Sequence, residues 1–260
     1  MIPKVIHYCW FGRNPLPELA VRCIESWKKY LPDYEIKEWN EDNFDVNMVP
    51  YTKEAYAAKK YAFVSDYARF WILYKYGGLY FDTDVEVMQS MDAIIARGPF
   101  MGCESDTELS VAPGLGLGVT PNFDIYKKIL DSYAELHFYN EDGSYNQKTV
   151  VSYVTEILCS YGLKASADIQ ECAGIVIYPK EYFCPKEFLT GKITITPHTV
   201  AIHHYDGTWL PEDVLYMRKL AKKLGNKKLS FYAAEFIMRL KYHGVKSTLK
   251  YCSEFLNRKL

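Results

Sequence analysis

Between Tyr51 and Val87 the chain carries its tightest constraint: an apolar helix pattern, a double glycine, then a strand pattern that ends in acid. Ala62, Asp66 and Arg69 stand at i, i+4 and i+7 in the run Ala62-Phe-Val-Ser-Asp-Tyr-Ala-Arg-Phe-Trp-Ile-Leu-Tyr-Lys-Tyr76. That spacing predicts one long helix within 51–76. Gly77-Gly78 stops it, as glycine does at helix ends. Leu79-Tyr-Phe-Asp-Thr-Asp-Val-Glu-Val87 then reads as a strand. Further strands are predicted at 2–9, 34–39, 99–103, 111–120, 175–179 and 200–205. Helices are predicted at 18–30, 123–138 and 149–161, and 40–50 reads as irregular. Strands alternating with helices, followed by a helical end, give an α/β class.

Composition fits a folded chain. Of 260 residues, 49% are apolar and 24% charged, and 23 Tyr, 13 Phe and five Trp supply material for a large core. No stretch approaches 18 consecutive apolar residues, so no membrane-spanning helix is expected. The opening Met1-Ile-Pro-Lys-Val-Ile-His-Tyr-Cys-Trp lacks the regions of a signal peptide, so a cytoplasmic chain is expected. Seven cysteines without a Cys-x-x-Cys pair predict reduced thiols rather than disulfides or a zinc site. The net charge of −1 hides an asymmetry: from Arg218 to Leu260, twelve Lys or Arg stand against two Glu. An acidic body excludes a uniformly basic nucleic-acid binder. A basic tail suits an anionic surface. Its segments Arg218-Lys-Leu-Ala-Lys-Lys-Leu and Phe236-Ile-Met-Arg-Leu-Lys-Tyr set Lys and Arg beside Leu, Phe and Tyr. They are expected to touch a membrane peripherally, on the inner face of the plasma membrane, or to be solvated helices packed on the body.

Asp82-Thr83-Asp84 is the sharpest chemical feature. On a strand, i and i+2 share a face, so two carboxylates there need a positive partner. A hard divalent cation that brings substrate phosphates with it is the obvious one. The bland reading of such a triplet is a pair of solvated loop acids. Asp66 and Arg69, at i and i+3 on an otherwise apolar helix, argue for a buried, paired role instead. Gly114, Gly116 and Gly118 mark either backbone approached closely or a loose loop.

Ser65-Asp-Tyr-Ala-Arg69 followed by Tyr76-Gly-Gly-Leu-Tyr-Phe-Asp-Thr-Asp84 closely resembles the sugar-binding region of family 32 glycosyltransferases, which include bacterial capsular-polysaccharide transferases and yeast outer-chain-initiating mannosyltransferases. Ile2 to Gly12 is similar to that family's first strand, and Ala201-Ile-His-His-Tyr-Asp-Gly-Thr-Trp209 to its C-terminal motif. The resemblance implies a GT-A fold with a mixed central sheet flanked by helices. It implies a catalytic domain over 1–210 with a helical basic extension over 211–260. It also implies a retaining, metal-dependent sugar transfer. The donor would be a nucleotide-sugar, with UDP favoured by family habit. The acceptor would be a saccharide or lipid-linked oligosaccharide in bacterial surface polysaccharide synthesis. By the same match Asp82 and Asp84 would hold Mn²⁺ or Mg²⁺, joined by His203 or His204, with His204 favoured. Asp82 would also touch the ribose or sugar. Asp66 and Arg69 would hold the sugar hydroxyls. Trp10 would stack on the base, and Thr208 and Trp209 would donate to the phosphate. Glu104 or Asp206 is the alternative should a carboxylate nucleophile be used. A metal-dependent nucleotide-sugar phosphoesterase and a non-catalytic sugar-nucleotide-binding module are the other readings of the same residues.

Overall fold

The computed structural model describes residues 1–105, 107–146, 148–188, 190–207, 210, 212–225 and 227–257. In chain order they form β1 (Val5–Cys9), α1 (Glu18–Tyr30), β2 (Glu35–Trp39), α2 (Pro50–Ala57), α3 (Tyr61–Tyr76), β3 (Gly78–Tyr80), β4 (Val85–Val87), α4 (Asp92–Ile95), β5 (Phe100–Ser105), β6 (Ser110–Val111), β7 (Leu117–Val119), α5 (Asp124–Asp131), α6 (Val150–Ser160), β8 (Gln170–Cys172), β9 (Ile175–Tyr178), α7 (Lys180–Phe183), β10 (Ala201–His203), α8 (Glu212–Lys223) and α9 (Lys228–Asn257). The main sheet runs β2-β1-β3-β7-β5-β9-β8, with β6 beside β5, and β10 pairs with β4 in a separate ladder. β1 is parallel to β2 and β3, β7 is antiparallel to β3 and β5, and β5 is parallel to β9. The sheet is therefore mixed and carries helices, as the sequence predicts. Two compact units are present: Met1–Pro185 with Thr194–His204, and Lys186–Ile193 with Tyr205–Leu260.

β1 is buried along Ile6, His7, Tyr8 and Cys9, as a central strand covered on both faces must be. Its histidine is fully used. The Trp39 indole N–H donates to His7 Nδ1 at 3.0 Å, so Nε2 keeps the proton and donates to the Gly77 carbonyl at 3.0 Å. Burial pushes the His7 pKa down to about 4.

The long helix predicted within 51–76 is α3, and a shorter helix, α2, precedes it. α2 closes with the Lys60 N–H on the Ala55 carbonyl and the Lys59 N–H on the Tyr56 carbonyl. That is a Schellman-type cap, with Lys59 at φ 57 where glycine usually stands. Two predicted strands break, and 111–120 is one of them, holding the end of β6 and all of β7 with a turn between. The other, 79–87, is β3, a turn and β4. The Val85 N–H donates to the Asp82 carbonyl, and β4 leaves the main sheet to pair antiparallel with β10. A smaller difference lies at 123–138, where α5 ends at Asp131. The Gly77-Gly78 stop stands as predicted. Gly77 has φ 64 and Gly78 φ 99, and a Cβ on Gly78 would sit 2.6 Å from the Val5 carbonyl oxygen.

Candidate functional site

The site grows from α3 and the carboxyl ends of β1 and β3, the edge where open α/β sheets bind ligands. α3 is apolar almost all round, with Phe63, Val64, Tyr67, Ala68, Phe70, Ile72 and Leu73 buried. Asp66 and Arg69 are buried on it as well. Arg69 Nη2 lies 2.9 Å from Asp66 Oδ1 and 3.3 Å from Asp82 Oδ1, and Nη1 lies 3.5 Å from Asp82 Oδ2. Its Nε donates to the Ser65 carbonyl at 3.1 Å, and its guanidinium lies over the Tyr80 ring. The Tyr80 hydroxyl donates to Asp82 Oδ1 at 3.1 Å. One buried cation thus meets two carboxylates, the arrangement that makes a buried charge tolerable.

The three charges differ in what they can offer. Burial pushes the Asp66 pKa up to about 6, against the pull of Arg69 and of the Val150 N–H. Burial also opposes the charge on Arg69, but Asp82, Tyr80 and Asp66 outweigh it and hold its pKa up. Asp82 is the open member: its side chain is 30% exposed, against 4% for Arg69. It therefore presents carboxylate lone pairs to whatever enters. Its seat is shaped by Gly114, whose carbonyl accepts the Asp82 N–H at 3.1 Å. A Cβ on Gly114 would come 2.9 Å from Asp82 Cγ and closer still to Oδ2. The glycine series is therefore close approach rather than a loose loop; Gly118 likewise lies against the Phe100 ring.

Asp84 points elsewhere. The pair does not share a strand face, because Thr83 and Asp84 lie in the turn between β3 and β4. Asp84 Oδ1 lies 3.2 Å from His203 Nε2 on β10. The register explains which histidine it meets. His203 stands opposite Val85, while the His204 N–H donates to the Asp84 carbonyl and its ring pairs with Glu86 at 2.7 Å. The expectation that favoured His204 is thus corrected at this point: His203 faces Asp84. Burial would lower the His203 pKa, but Asp84 and the Cys184 thiol raise it to about 10. Among the described residues no group of three or more His, Cys, Asp or Glu is placed to hold a metal ion. An imidazolium at His203 has no lone pair to give a metal, so the Asp84 carboxylate is the ligand this pair offers. A carboxylate fits an ion whose other ligands are substrate phosphates and water, the usual manner for Mg²⁺.

Trp10 stands just past β1, half-buried, its Nε1 donating to the Asn14 carbonyl at 2.6 Å. The loop after it is anchored by a residue the sequence reading missed. Glu41 Oε1 accepts the Gly12 N–H at 2.5 Å and the Tyr56 hydroxyl at 3.0 Å. Its Oε2 is buried with no partner among the described residues. Nothing in the polar stretch 40–50 distinguishes this acid from its neighbours. Also unforeseen are the Tyr51 and Tyr133 hydroxyls, buried without partners among the described residues, with the Asp66 charge the first that each feels. Glu104, on β5, accepts from the Ser110 hydroxyl at 2.8 Å, and Asp206 belongs to the second unit. Thr208 and Trp209 lie outside the described residues.

Residues 17–101 match the family model described as a glycosyltransferase sugar-binding region containing a DXD motif. Asp66, Arg69, Asp82 and Asp84 fall inside that match. Among curated proteins the chain is similar to inositol phosphoceramide mannosyltransferase 3 of Schizosaccharomyces pombe, at 35% identity over 98 residues, 36% of this chain and 27% of that one. It is also similar to the mannosyl phosphorylinositol ceramide synthase CSH1 of Saccharomyces cerevisiae, at 26% over 136 residues, 51% of this chain and 35% of that one. The matched stretches span about a third or less of these relatives' lengths. Among solved structures, the PaToxG glycosyltransferase aligns with a TM-score of 0.47 and 21% identity, covering 61% of this chain and 69% of the other. The galactosyltransferase LgtC aligns with a TM-score of 0.37 and 14% identity, covering 68% and 74%.

Proposed function

We propose that this chain is a glycosyltransferase of GT-A type that moves a hexose from a nucleoside diphosphate to a hydroxyl of a saccharide or glycolipid. The observation that carries the reading is the Asp66–Arg69–Asp82 cluster at the carboxyl edge of the parallel strands, inside the segment that matches a sugar-binding region. A sugar presents several hydroxyl donors in a fixed ring. Carboxylates held rigidly by a guanidinium are acceptors with a defined direction, so Asp82, backed by Asp66, fits the task. Holding the ring in register supplies part of the rate.

Asp84 would hold a divalent ion, Mn²⁺ or Mg²⁺, against the diphosphate, with His203 steadying its carboxylate. When bound, such an ion neutralises the charge that develops on the leaving group. Trp10 offers an indole face for the base. Retention of anomeric configuration is part of the proposal. The named relatives support mannose among the sugars to test first, and they are sphingolipid enzymes; the expected bacterial surface glycan has no counterpart in their names.

The test is a panel of UDP-, GDP- and CMP-sugars with Mn²⁺ or chelator, read as melting temperature and as nucleotide release with and without saccharide acceptors. One donor should raise the melting temperature, and an acceptor should strongly stimulate its turnover, with the product anomer fixed by NMR. Equal release with and without every acceptor would make this a phosphoesterase. Binding without turnover would make it a sensing module.

A further inference from the structure

The second unit has a small core of its own. Met217 and Ala221 of α8 pack with Ala234 and Met238 of α9, with Phe231 and Tyr242 partly buried beside them. On α9 the residues Ala234, Met238 and Tyr242 recur at i, i+4 and i+8 and define the packed side. Leu229, Ala233, Phe236 and Leu240 recur at i, i+4, i+7 and i+11, and with Ile237 they define a second apolar side roughly opposite. This side faces solvent: Leu229 is 79% exposed, Phe236 44%, Ile237 39% and Leu240 37%. Beyond the kink at Gly244, Val245 and Leu249 continue at i and i+4, both more than 60% exposed. A contiguous stripe of this size is not how a solvated helix presents itself.

The charge around the stripe is mostly positive. Lys219, Lys222, Lys223 and Lys227 are exposed near the turn from α8 to α9, and Lys246 and Lys250 are exposed beyond Gly244. Among the described residues, the ion pairs of these helices are Arg239–Glu235, His243–Asp213 and Lys250–Glu254, which leaves the other five lysines outside any of them. A second copy would bring the same positive charge against this face, so self-association through it is disfavoured. An anionic bilayer offers acid at its surface and hydrocarbon below it, which answers both features at once. Among the described residues no helix is long and apolar enough to cross a membrane, so the helix would lie on the bilayer rather than span it.

We propose that this helical unit docks on an anionic lipid surface, with Leu229, Phe236, Ile237 and Leu240 at the boundary between headgroups and acyl chains and the lysines on acidic headgroups. The inference is independent of the transferase reading. Its test is co-sedimentation of the full chain with vesicles of phosphatidylcholine alone or mixed with phosphatidylglycerol. The chain sediments with the mixed vesicles, not with the neutral ones, and is released as salt rises. Phe236→Asp with Leu240→Asp weakens binding at least about tenfold, since both apolar burial and charge change sign. Lys222→Gln with Lys223→Gln weakens it roughly thirtyfold, about fivefold for each basic side chain. All four positions are exposed, so melting temperatures stay at the wild-type value. No sedimentation with mixed vesicles at low salt would overturn the proposal. So would equal binding by wild type and the Phe236→Asp, Leu240→Asp variant. A dimer in light scattering that this variant dissolves would instead make the stripe an interface between copies.

Discussion

Gly114→Ala is the most informative single methyl to add to this protein. Gly114 does not need a left-handed backbone, so alanine brings no conformational strain, and by restricting the unfolded chain it would ordinarily stabilise by about 0.4–1 kcal/mol. The added carbon, however, would stand 2.9 Å from Asp82 Cγ. Carbon pairs rest at about 3.5–4.0 Å. The carboxylate must therefore retreat by about 1 Å. It leaves a fork with Arg69 at 3.3 and 3.5 Å and the Tyr80 hydroxyl at 3.1 Å. Losing these contacts costs about 1–2 kcal/mol, so net destabilisation is about 1 kcal/mol and the melting temperature falls by about 2–4 °C. Turnover should suffer far more, since misplacing a positioning group by about 1 Å can cost about 100-fold. The assay is nucleotide-sugar turnover and thermal melting of Gly114→Ala, Asp82→Ala and the double variant. Once Asp82→Ala has removed the carboxylate, Gly114→Ala should add almost nothing, a coupling the double-mutant cycle reads directly. Wild-type turnover in Gly114→Ala would refute the tight seat. Additive losses would refute Asp82 as the group that the methyl displaces.

Three further outcomes follow from the charges and hydroxyls around this seat. Arg69→Met should destabilise by about 3–5 kcal/mol in urea unfolding, because it leaves Asp66 buried beside Asp82 without the cation; Arg69→Lys should recover only part, since a point charge cannot make the fork. His7 has a folded pKa of about 4, below its ordinary 6.5, so protons favour the unfolded chain. Its stabilising contribution is whole above pH 6.5 and is lost as pH falls toward 4; between pH 7 and pH 5 wild type should lose about 2 kcal/mol more than His7→Asn, whose amide does not titrate. Tyr133→Phe removes a buried hydroxyl that has no partner among the described residues, so stability should hold within about 1 kcal/mol or rise; a loss above about 2 kcal/mol would mean the hydroxyl is satisfied by water.

The fold class was legible because period and punctuation agreed. α1 spans Glu18–Tyr30 as its spacing predicts, and α6 spans Val150–Ser160 within the predicted 149–161. The misread segments share one physical cause: local signals said continue while a long-range partner said stop. Val111 to Thr120 reads as one strand, yet β6 pairs with β5 while β7 pairs with β3 as well. Nothing in Phe81-Asp-Thr-Asp84 forbids strand, yet β4 finds its pairing with β10, more than a hundred residues later. Asp66 and Arg69 were legible because charges on an apolar helix must be paired. Glu41 was not, because its partners, the Gly12 N–H and the Tyr56 hydroxyl, meet it only in three dimensions.

That turn at 81–84 changes what the acidic pair is for. On an unbroken strand the two carboxylates would lie on one face and need a shared counter-charge. Here each has its own: Arg69 for Asp82, His203 for Asp84. The main sheet keeps Asp82, because β3 ends at Tyr80 and the Asp82 N–H is tied to the Gly114 carbonyl. The small ladder takes Asp84, because Val85 pairs with His203. Mutual repulsion is thereby relieved before any ligand arrives, so the site need not be held open by a bound ion. The two acids are also separable in effect. Asp82 is held by a helix with most of its side chains in the core, and Asp84 by a three-residue strand pair. A change in the ladder can therefore move Asp84 while the Arg69 cluster stays intact.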